Sequence, residues 1–454
     1  MAVFTPIGML KEVSTLMKPA RLGKNSFVRN VFVVMSGTGL AQLLTFVFSP
    51  ILSRLYGPLD FGSYGSFMSV VGILTAAVTL QYSEAIMLPS TDEVAASLFA
   101  AACFSALTIS VGFSLLCFLF PGFWLGILKA PELKGWLWLM PVMGLVGGLN
   151  QTLTAWCARR KAFKRTAAVQ VFRSLTTSGG QSAAGLAGLG CAGLIGGGVA
   201  GEVLANLALW RWVARDDGRL FGRVFRAKEV KSAARNYKDF PLYSAPQNLM
   251  NAASQGAPVI LLIHYYGVAI GGFYAFSVRA LQAPMNFVLT SLRQVLFQKL
   301  SEVHNGGRDL GRMFAKCTGT LFALAILPTI VGFVLAPRIF VFVFGSQWLT
   351  AGDYARWLLV WFLPGFCNLP AALLGRILRR QRTLLLLDLA LLISRISVLI
   401  FGGACWSPIH TIAAFSVVGA FFNILLIFYV WRLLKLHKSS NSDNLAETTE
   451  ATQV

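Results

Sequence analysis

Apolar runs of roughly 20 residues recur along the chain at about 30–53, 65–88, 95–119, 135–157, 167–187, 192–213, 242–265, 271–297, 314–336, 355–377, 383–403 and 410–431. Each is long enough to cross about 30 Å of hydrocarbon as a helix. The strict alternation over about 10 residues that marks a membrane β-barrel is absent. The pattern predicts an all-α integral membrane protein with twelve transmembrane helices in two six-helix bundles, 30–213 and 241–435, joined by a basic cytoplasmic loop at 214–240. Six is even, so both bundles enter the membrane in the same orientation, related by a pseudo-two-fold axis along the membrane normal. Ahead of them, segment 1–29 places Phe4, Ile7, Leu10, Val13 and Leu16 at near-helical spacing. It reads as an interfacial amphipathic helix or as a disordered lead-in. The first apolar run is too long for a cleaved signal and lacks a small-residue cleavage site. The tail, 436–454, is polar and acidic and is expected to be disordered.

Two stretches, 210 positions apart, repeat. Arg54-Leu55-Tyr56-Gly57-Pro58-Leu59-Asp60-Phe61-Gly62-Ser63-Tyr64 and His264-Tyr265-Tyr266-Gly267-Val268-Ala269-Ile270-Gly271-Gly272-Phe273-Tyr274 share Tyr-Gly, a later Gly and a final Tyr. Each falls in the connection between the first and second spans of its half, so the chain reads as one unit written twice, with Arg54 aligned to His264. A duplicated membrane protein of this kind predicts a transporter with its site between the halves. The repeat reads as a two-sided outer gate. Further on, Gly193, Gly197 and Gly201 share one helix face, which predicts close packing of the fifth and sixth spans. Pro246, Pro258 and Pro284 predict bends in the seventh and eighth.

Charge turns this pattern into a topology. Of the 39 Lys and Arg residues, 30 fall in segments 1–29, 158–166, 211–240, 299–316, 376–382 and 432–438, whereas the opposite side holds only Arg54, Lys129, Lys134 and Arg338. The positive-inside rule places both termini in the cytoplasm. The formal net charge of +21 is therefore a topology signal and an attraction for anionic membrane lipids, not a nucleic-acid footprint. A charged content of 13%, against about 25% in soluble domains, agrees with this. The seven cysteines are scattered without a Cys-x-x-Cys pair and only four histidines are present, so no metal and no cofactor are expected.

Ser53-Arg54-Leu55-Tyr56-Gly57-Pro58, followed by Asp60-Phe61-Gly62 and Tyr64 between two spans, resembles the start of the polysaccharide-transporter family of oligosaccharide flippases, the Wzx type. Phe344-Gly345-Ser346-Gln347-Trp348-Leu349-Thr350-Ala351-Gly352 is similar to a second stretch of that family. The resemblance covers roughly residues 27–435 and identifies the superfamily, which includes the lipid II flippase and multidrug exporters, better than the cargo. It implies two six-helix bundles around a cavity that opens alternately to either side. It also implies export of a polyprenyl-pyrophosphate-linked oligosaccharide across the bacterial cytoplasmic membrane for O-antigen, capsule or exopolysaccharide assembly. Its implied partners are that lipid, a polysaccharide polymerase and a chain-length regulator; it implies no covalent chemistry.

The residues bear on this independently. A charge at bilayer depth costs at least about 2.5–3.5 kcal/mol, so each one needs a reason. Arg173, Arg279, Arg293, Arg356 and Arg395 lie within spans, against only Glu84, Glu202 and Asp388. A cation surplus suits an anionic cargo. Arg279 is the deepest and is expected to hold a phosphate through paired hydrogen bonds, with a structural ion pair to Glu202 or Asp388 as the alternative. Arg173 follows the same logic. Arg54 and His264 are further substrate candidates at the outer mouth. Glu84, Glu202 and Asp388 are candidates for ion coupling, although Asp388 and Arg395 share a helix face and read first as one network. Asn248 and Asn251, with Gln247 and Gln255, form a stripe on the seventh span that fits sugar hydroxyls or helix–helix hydrogen bonds equally well. A cation-coupled multidrug or metabolite exporter is the alternative function. A membrane enzyme is disfavoured, because no outer loop exceeds about 18 residues or carries an acid pair or nucleophile set.

Overall fold

The computed structural model describes residues 26–224, 227–305, 309–378 and 380–450. Twelve long helices account for most of these residues: α1 (Ser26–Leu55), α2 (Pro58–Val78), α3 (Asp92–Leu119), α4 (Leu139–Arg159), α5 (Phe163–Leu186), α6 (Gly190–Val224), α7 (Ala245–Tyr266), α8 (Val268–Asn305), α9 (Leu310–Phe344), α10 (Leu349–Cys367, continued at 45° by Leu369–Ile377), α11 (Gln381–Cys405) and α12 (Pro408–Glu450). No strand occurs among the described residues. The segment at 4–17 lies outside them.

Seven of the twelve are long and apolar enough to cross a membrane, and the bent α10 makes eight. The other four, α4, α5, α7 and α8, do not pass that test among the described residues, and all four supply polar side chains to a central cavity, described below. Outward-facing surfaces are oily, with Phe118 82% and Phe342 85% exposed, as lipid contact requires.

Helices α1–α6 form one lobe and α7–α12 the other. In the first lobe α5 packs on α1 and α6, and in the second α10 packs on α9 and α12. The glycine face on α6 works as the spacing predicts. A Cβ at Gly197 would lie 2.6 Å from the Gln181 backbone nitrogen, and one at Gly193 would lie 2.6 Å from the Tyr56 hydroxyl. Of the three prolines, Pro258 and Pro284 lie inside α7 and α8. Pro246 follows closely on a single π-helical turn, Phe240–Ser244, that leads into α7.

Three boundaries differ from the sequence expectation. First, the connection α1–α2 is only Tyr56-Gly57. Pro58 opens α2, and the Asp60 carboxylate accepts from the Gly57 N–H at 2.9 Å, so most of the first repeat is helix. The second repeat is likewise broken only at Gly267, whose φ of +94° ends α7. Second, the basic loop is largely helical. After α6 runs on to Val224, Ala227–Asn236 forms a short helix whose Val230, Ala233 and Ala234 pack on the first lobe's core, leaving Lys228, Lys231 and Arg235 exposed. Third, helix continues through Glu450, over most of the segment read as a disordered tail.

The lobes meet along α2, which packs against both α7 and α8, and along α1, which packs against α8. The α2–α8 crossing is self-reciprocal. A Cβ on Gly62 would run into the Val268 carbonyl, and a Cβ on Gly272 would run into the Pro58 carbonyl. Pro58 corresponds to Val268 and Gly62 to Gly272 in the repeat, so the two copies seal each other about the pseudo-two-fold axis.

Candidate functional site

Around that crossing the Tyr-Gly end of the molecule is closed. Phe61, Phe276, Phe344 and Trp348 interlock, with Phe276 stacked on Trp348 at 4.0 Å between centroids. The Ser53 carbonyl accepts from Gln347 Nε2 at 2.6 Å and Trp348 Nε1 at 2.8 Å, which ties α1 to the second family-like stretch. Lys129 Nζ donates to the His264 carbonyl at 2.6 Å across the lobes. Each repeat is also moored within its own lobe. Tyr56 Oη donates to the Gln181 carbonyl on α5 at 2.6 Å, and Tyr266 Oη to the Gly402 carbonyl on α11 at 2.7 Å.

Beyond this seal, three adjoining cavities of about 590, 660 and 400 Å³ lie between the lobes. Gln255 is shared by the first two, Gln170 and Arg173 by the first and third, and Gln42, Thr45, Tyr64 and Arg279 by the second and third. They form one polar space that reaches Ala158 and Thr166, beside the basic connection Arg159–Arg165. The interior is therefore closed at the Tyr-Gly end and extends toward the basic end.

The structure brings most of the expected residues to this space. Arg279 lines it from α8 and, among the described residues, has no acid partner, so the alternative of an ion pair with Glu202 or Asp388 is not met. Arg173 lines it from α5, but its Nη1 lies 3.2 Å from Glu202 on α6. Asn248, Asn251 and Gln255 face it from α7, whereas Gln247 turns to a separate small cavity with Asp388. Glu84 reaches it from a short helix, Tyr82–Ala85, after a break in α2 where Leu80 and Gln81 adopt φ of +47° and +59°. Side chains rarely adopt such angles, and no Gly or Pro marks the break. The buried Gln81 steadies it by donating to the Ala76 carbonyl at 3.0 Å.

The remaining candidates are dispersed. Arg54 and His264 are exposed at the Tyr-Gly end, the outer mouth of the sequence reading, each in the last turn of a helix that ends at the seal. Asp388 faces the small cavity with Gln247, and Arg395 faces the central one. Arg293 is exposed on the long α8. Sequence reading missed Gln170, which accepts from Thr38 Oγ1 at 2.6 Å and shares the Arg173 face one turn earlier. The i, i+3 spacing could have found it. It also missed Trp361, an apolar lining residue with no sequence signal.

At the basic end the first lobe is braced by charge. Arg159 and Arg160 share Asp92, Arg160 also binds Asp217, and Arg165 pairs with Asp216. Burial opposes the Arg160 charge, but Asp217 and then Asp92 outweigh it, holding the guanidinium above its ordinary value. These groups tie the α2–α3 and α4–α5 connections to α6. Among the described residues no cluster of His, Cys, Asp or Glu has the form of a metal site.

A polysaccharide biosynthesis protein family model matches residues 51–353. No curated protein matches the chain by sequence. Among solved structures, the lipid II flippase MurJ in an inward closed conformation superposes with a TM-score of 0.72 at 12% identity, covering 88% of this chain and 87% of that one. An inward-facing multidrug resistance MATE family transporter of the MOP superfamily gives 0.69 at 13% identity, covering 90% and 99%. An outward-facing MATE transporter gives 0.59 at 10% identity, covering 90% and 96%. At these identities the likeness is one of fold, and it is the twelve-helix, two-lobe transporter fold built above from the helices. The family match spans both repeats and most of the lining helices, and the chain belongs to the polysaccharide biosynthesis protein family.

Proposed function

We propose that this protein is a flippase that carries a polyprenyl-pyrophosphate-linked oligosaccharide through the central space by alternating access. The observation that carries the reading is Arg279: a cation between the lobes, lining two of the three adjoining cavities, with no acid partner among the described residues. An isolated charge at that depth is costly, and an anionic cargo group offsets the cost. The amides of Asn248, Asn251 and Gln255 along the same space suit sugar hydroxyls, while the lipid tail stays in the bilayer. The charge map supports a bacterial cytoplasmic membrane protein with both termini in the cytoplasm. On that topology the sealed Tyr-Gly end is periplasmic and this conformation is the one that loads cargo.

Arg173 enters as the second phosphate contact. Glu202 pairs with it, and a cargo phosphate competes for the same guanidinium. Displaced from Arg173, Glu202 becomes free to take a proton, which makes it the leading coupling acid ahead of Glu84 and Asp388. A cation-expelling exporter would need a surplus of carboxylates, whereas this space presents Arg173, Arg279 and Arg395 against Glu84 and Glu202.

The test is complementation. Arg279→Ala is expected to abolish surface polysaccharide at unchanged protein level, and Arg279→Lys to retain part of it. Lipid-linked intermediates should accumulate, and their chemistry would identify the cargo. Normal polysaccharide from Arg279→Ala would remove the phosphate assignment. A cysteine at Asp60 should react with an impermeant thiol reagent from the periplasm once the seal opens; reaction from the cytoplasm alone would invert the topology.

A further inference from the structure

Arg395 on α11 is 5% exposed, yet none of the described ion pairs includes it. Its guanidinium carbon lies 3.9 Å from the ring centroid of Trp361 on α10 and 4.3 Å from that of Phe415 on α12. Nε and Nη2 are buried without a hydrogen-bond partner. Gly419 allows the approach, because any Cβ there would overlap Nη2. The same residue lines the central space together with Arg279 and Tyr274.

A merely structural arginine would be expected to spend its five donors on carbonyls or carboxylates. Here Trp361 and Phe415, nearly perpendicular to each other, hold the cation by cation–π attraction, and Nε and Nη2 have no oxygen partner. Aromatic rings offer nothing to in-plane N–H groups, and buried donors without partners are costly. A buried guanidinium on the wall of the central space, with Nε and Nη2 lacking an oxygen partner, suits a two-oxygen anion.

We propose that Arg395, caged by Trp361 and Phe415, is a second oxyanion subsite of the central space, in the second lobe, and that it takes a phosphate or carboxylate carried by the cargo. The proposal rests on the flippase reading but assigns a separate contact. Two sources share this chemistry: the diphosphate of the lipid carrier, reaching beyond Arg279, or an acidic sugar in the oligosaccharide.

Trp361 reports on the subsite directly, because its ring centroid lies 3.9 Å from the cation. Purified full-length protein in nanodiscs would be titrated with inorganic pyrophosphate, with glucuronate and with uncharged glucose, following tryptophan emission. The Trp361 contribution is the difference between wild type and Trp361→Phe, which keeps a ring over the guanidinium. The expected result is a saturable change in that contribution with at least one anion and none with glucose. Response to pyrophosphate alone marks the carrier diphosphate, and response to glucuronate alone marks an acidic sugar. Arg395→Gln should weaken binding on the order of tenfold or more, the scale of a lost charge-assisted hydrogen bond, and Arg279→Gln should leave the Trp361 response in place. If neither anion moves the Trp361 contribution, or Arg395→Gln binds as wild type, the subsite is overturned. Should Arg395→Gln fail to fold, the wild-type and Trp361→Phe comparison decides alone. A silent Trp361 beside an inactive Arg279→Ala would remove only this subsite; a responsive Trp361 beside a fully active Arg279→Ala would remove only the Arg279 reading.

Discussion

In the first lobe Asn150 on α4 donates to Asn206 on α6 at 3.0 Å. In the second, Asn368 at the bend of α10 donates to Asn423 on α12. The tyrosines of the two repeats are moored in the same matched way, Tyr56 to α5 and Tyr266 to α11. Against this shared frame the charges diverge. The described ion pairs, from Arg159–Asp92 to Arg173–Glu202, all belong to the first lobe. Facing them across the cavity, Arg279 and Arg395 of the second lobe have no acid partner among the described residues. Duplication preserved the polar joints that set helix spacing. The cations differ between the lobes, as the proposed function would require: a joint must fit its own lobe, whereas a cargo-binding cation would have to fit a cargo. One lobe holds its cation in reserve against a carboxylate, and the other presents cations without one.

The comparison can be broken at its most symmetric point. Gly62→Val and Gly272→Val each place a side chain against a carbonyl of the other lobe, where only backbone movement could make room. Both should lose the seal and nearly all transport, to similar extents, with a cysteine at Asp60 becoming permanently reactive. A strong effect from one and none from the other would deny the reciprocal crossing. Next come the cavity charges. Arg173→Ala should lower transport on the order of tenfold, less than Arg279→Ala, because Arg173 is already neutralised by Glu202. Glu202→Gln should keep cargo binding while flattening the dependence of transport on pH; an unchanged pH profile would pass the coupling role to Glu84 or Asp388. Smallest are the joints. Asn150→Ala and Asn368→Ala should each cost about 1–3 kcal/mol by leaving a buried amide unpaired, read as matched falls in thermal unfolding temperature, with transport largely kept. Unequal losses would mean the joints are not equivalent.

The helix count, the two lobes and the pairing of the Tyr-Gly copies were legible in the sequence because apolar length and small-residue spacing act locally. The α6 glycine face and the cavity positions of Arg173, Arg279, Asn248 and Asn251 follow from helical periodicity in the same way. Arg54 and His264 fall together at the Tyr-Gly end, as alignment between repeats puts them, but that alignment says which residues correspond, not which way a terminal turn points. The Arg395 cage stayed hidden for a related reason: Trp361, Arg395 and Phe415 come from three helices, and no spacing along the chain joins them. The break at Leu80 and Gln81 carries no turn residue, so only tertiary packing on the first lobe explains it.

The central claim is that an unpaired cation of the second lobe, Arg279, holds the anionic group of the cargo. Its most direct test is translocation of a polyprenyl-diphosphate-linked oligosaccharide in proteoliposomes, comparing wild type, Arg279→Lys and Arg279→Ala at matched thermal stability. The account predicts movement by wild type, a reduced rate for Arg279→Lys and background for Arg279→Ala. Wild-type rates from Arg279→Ala would contradict it.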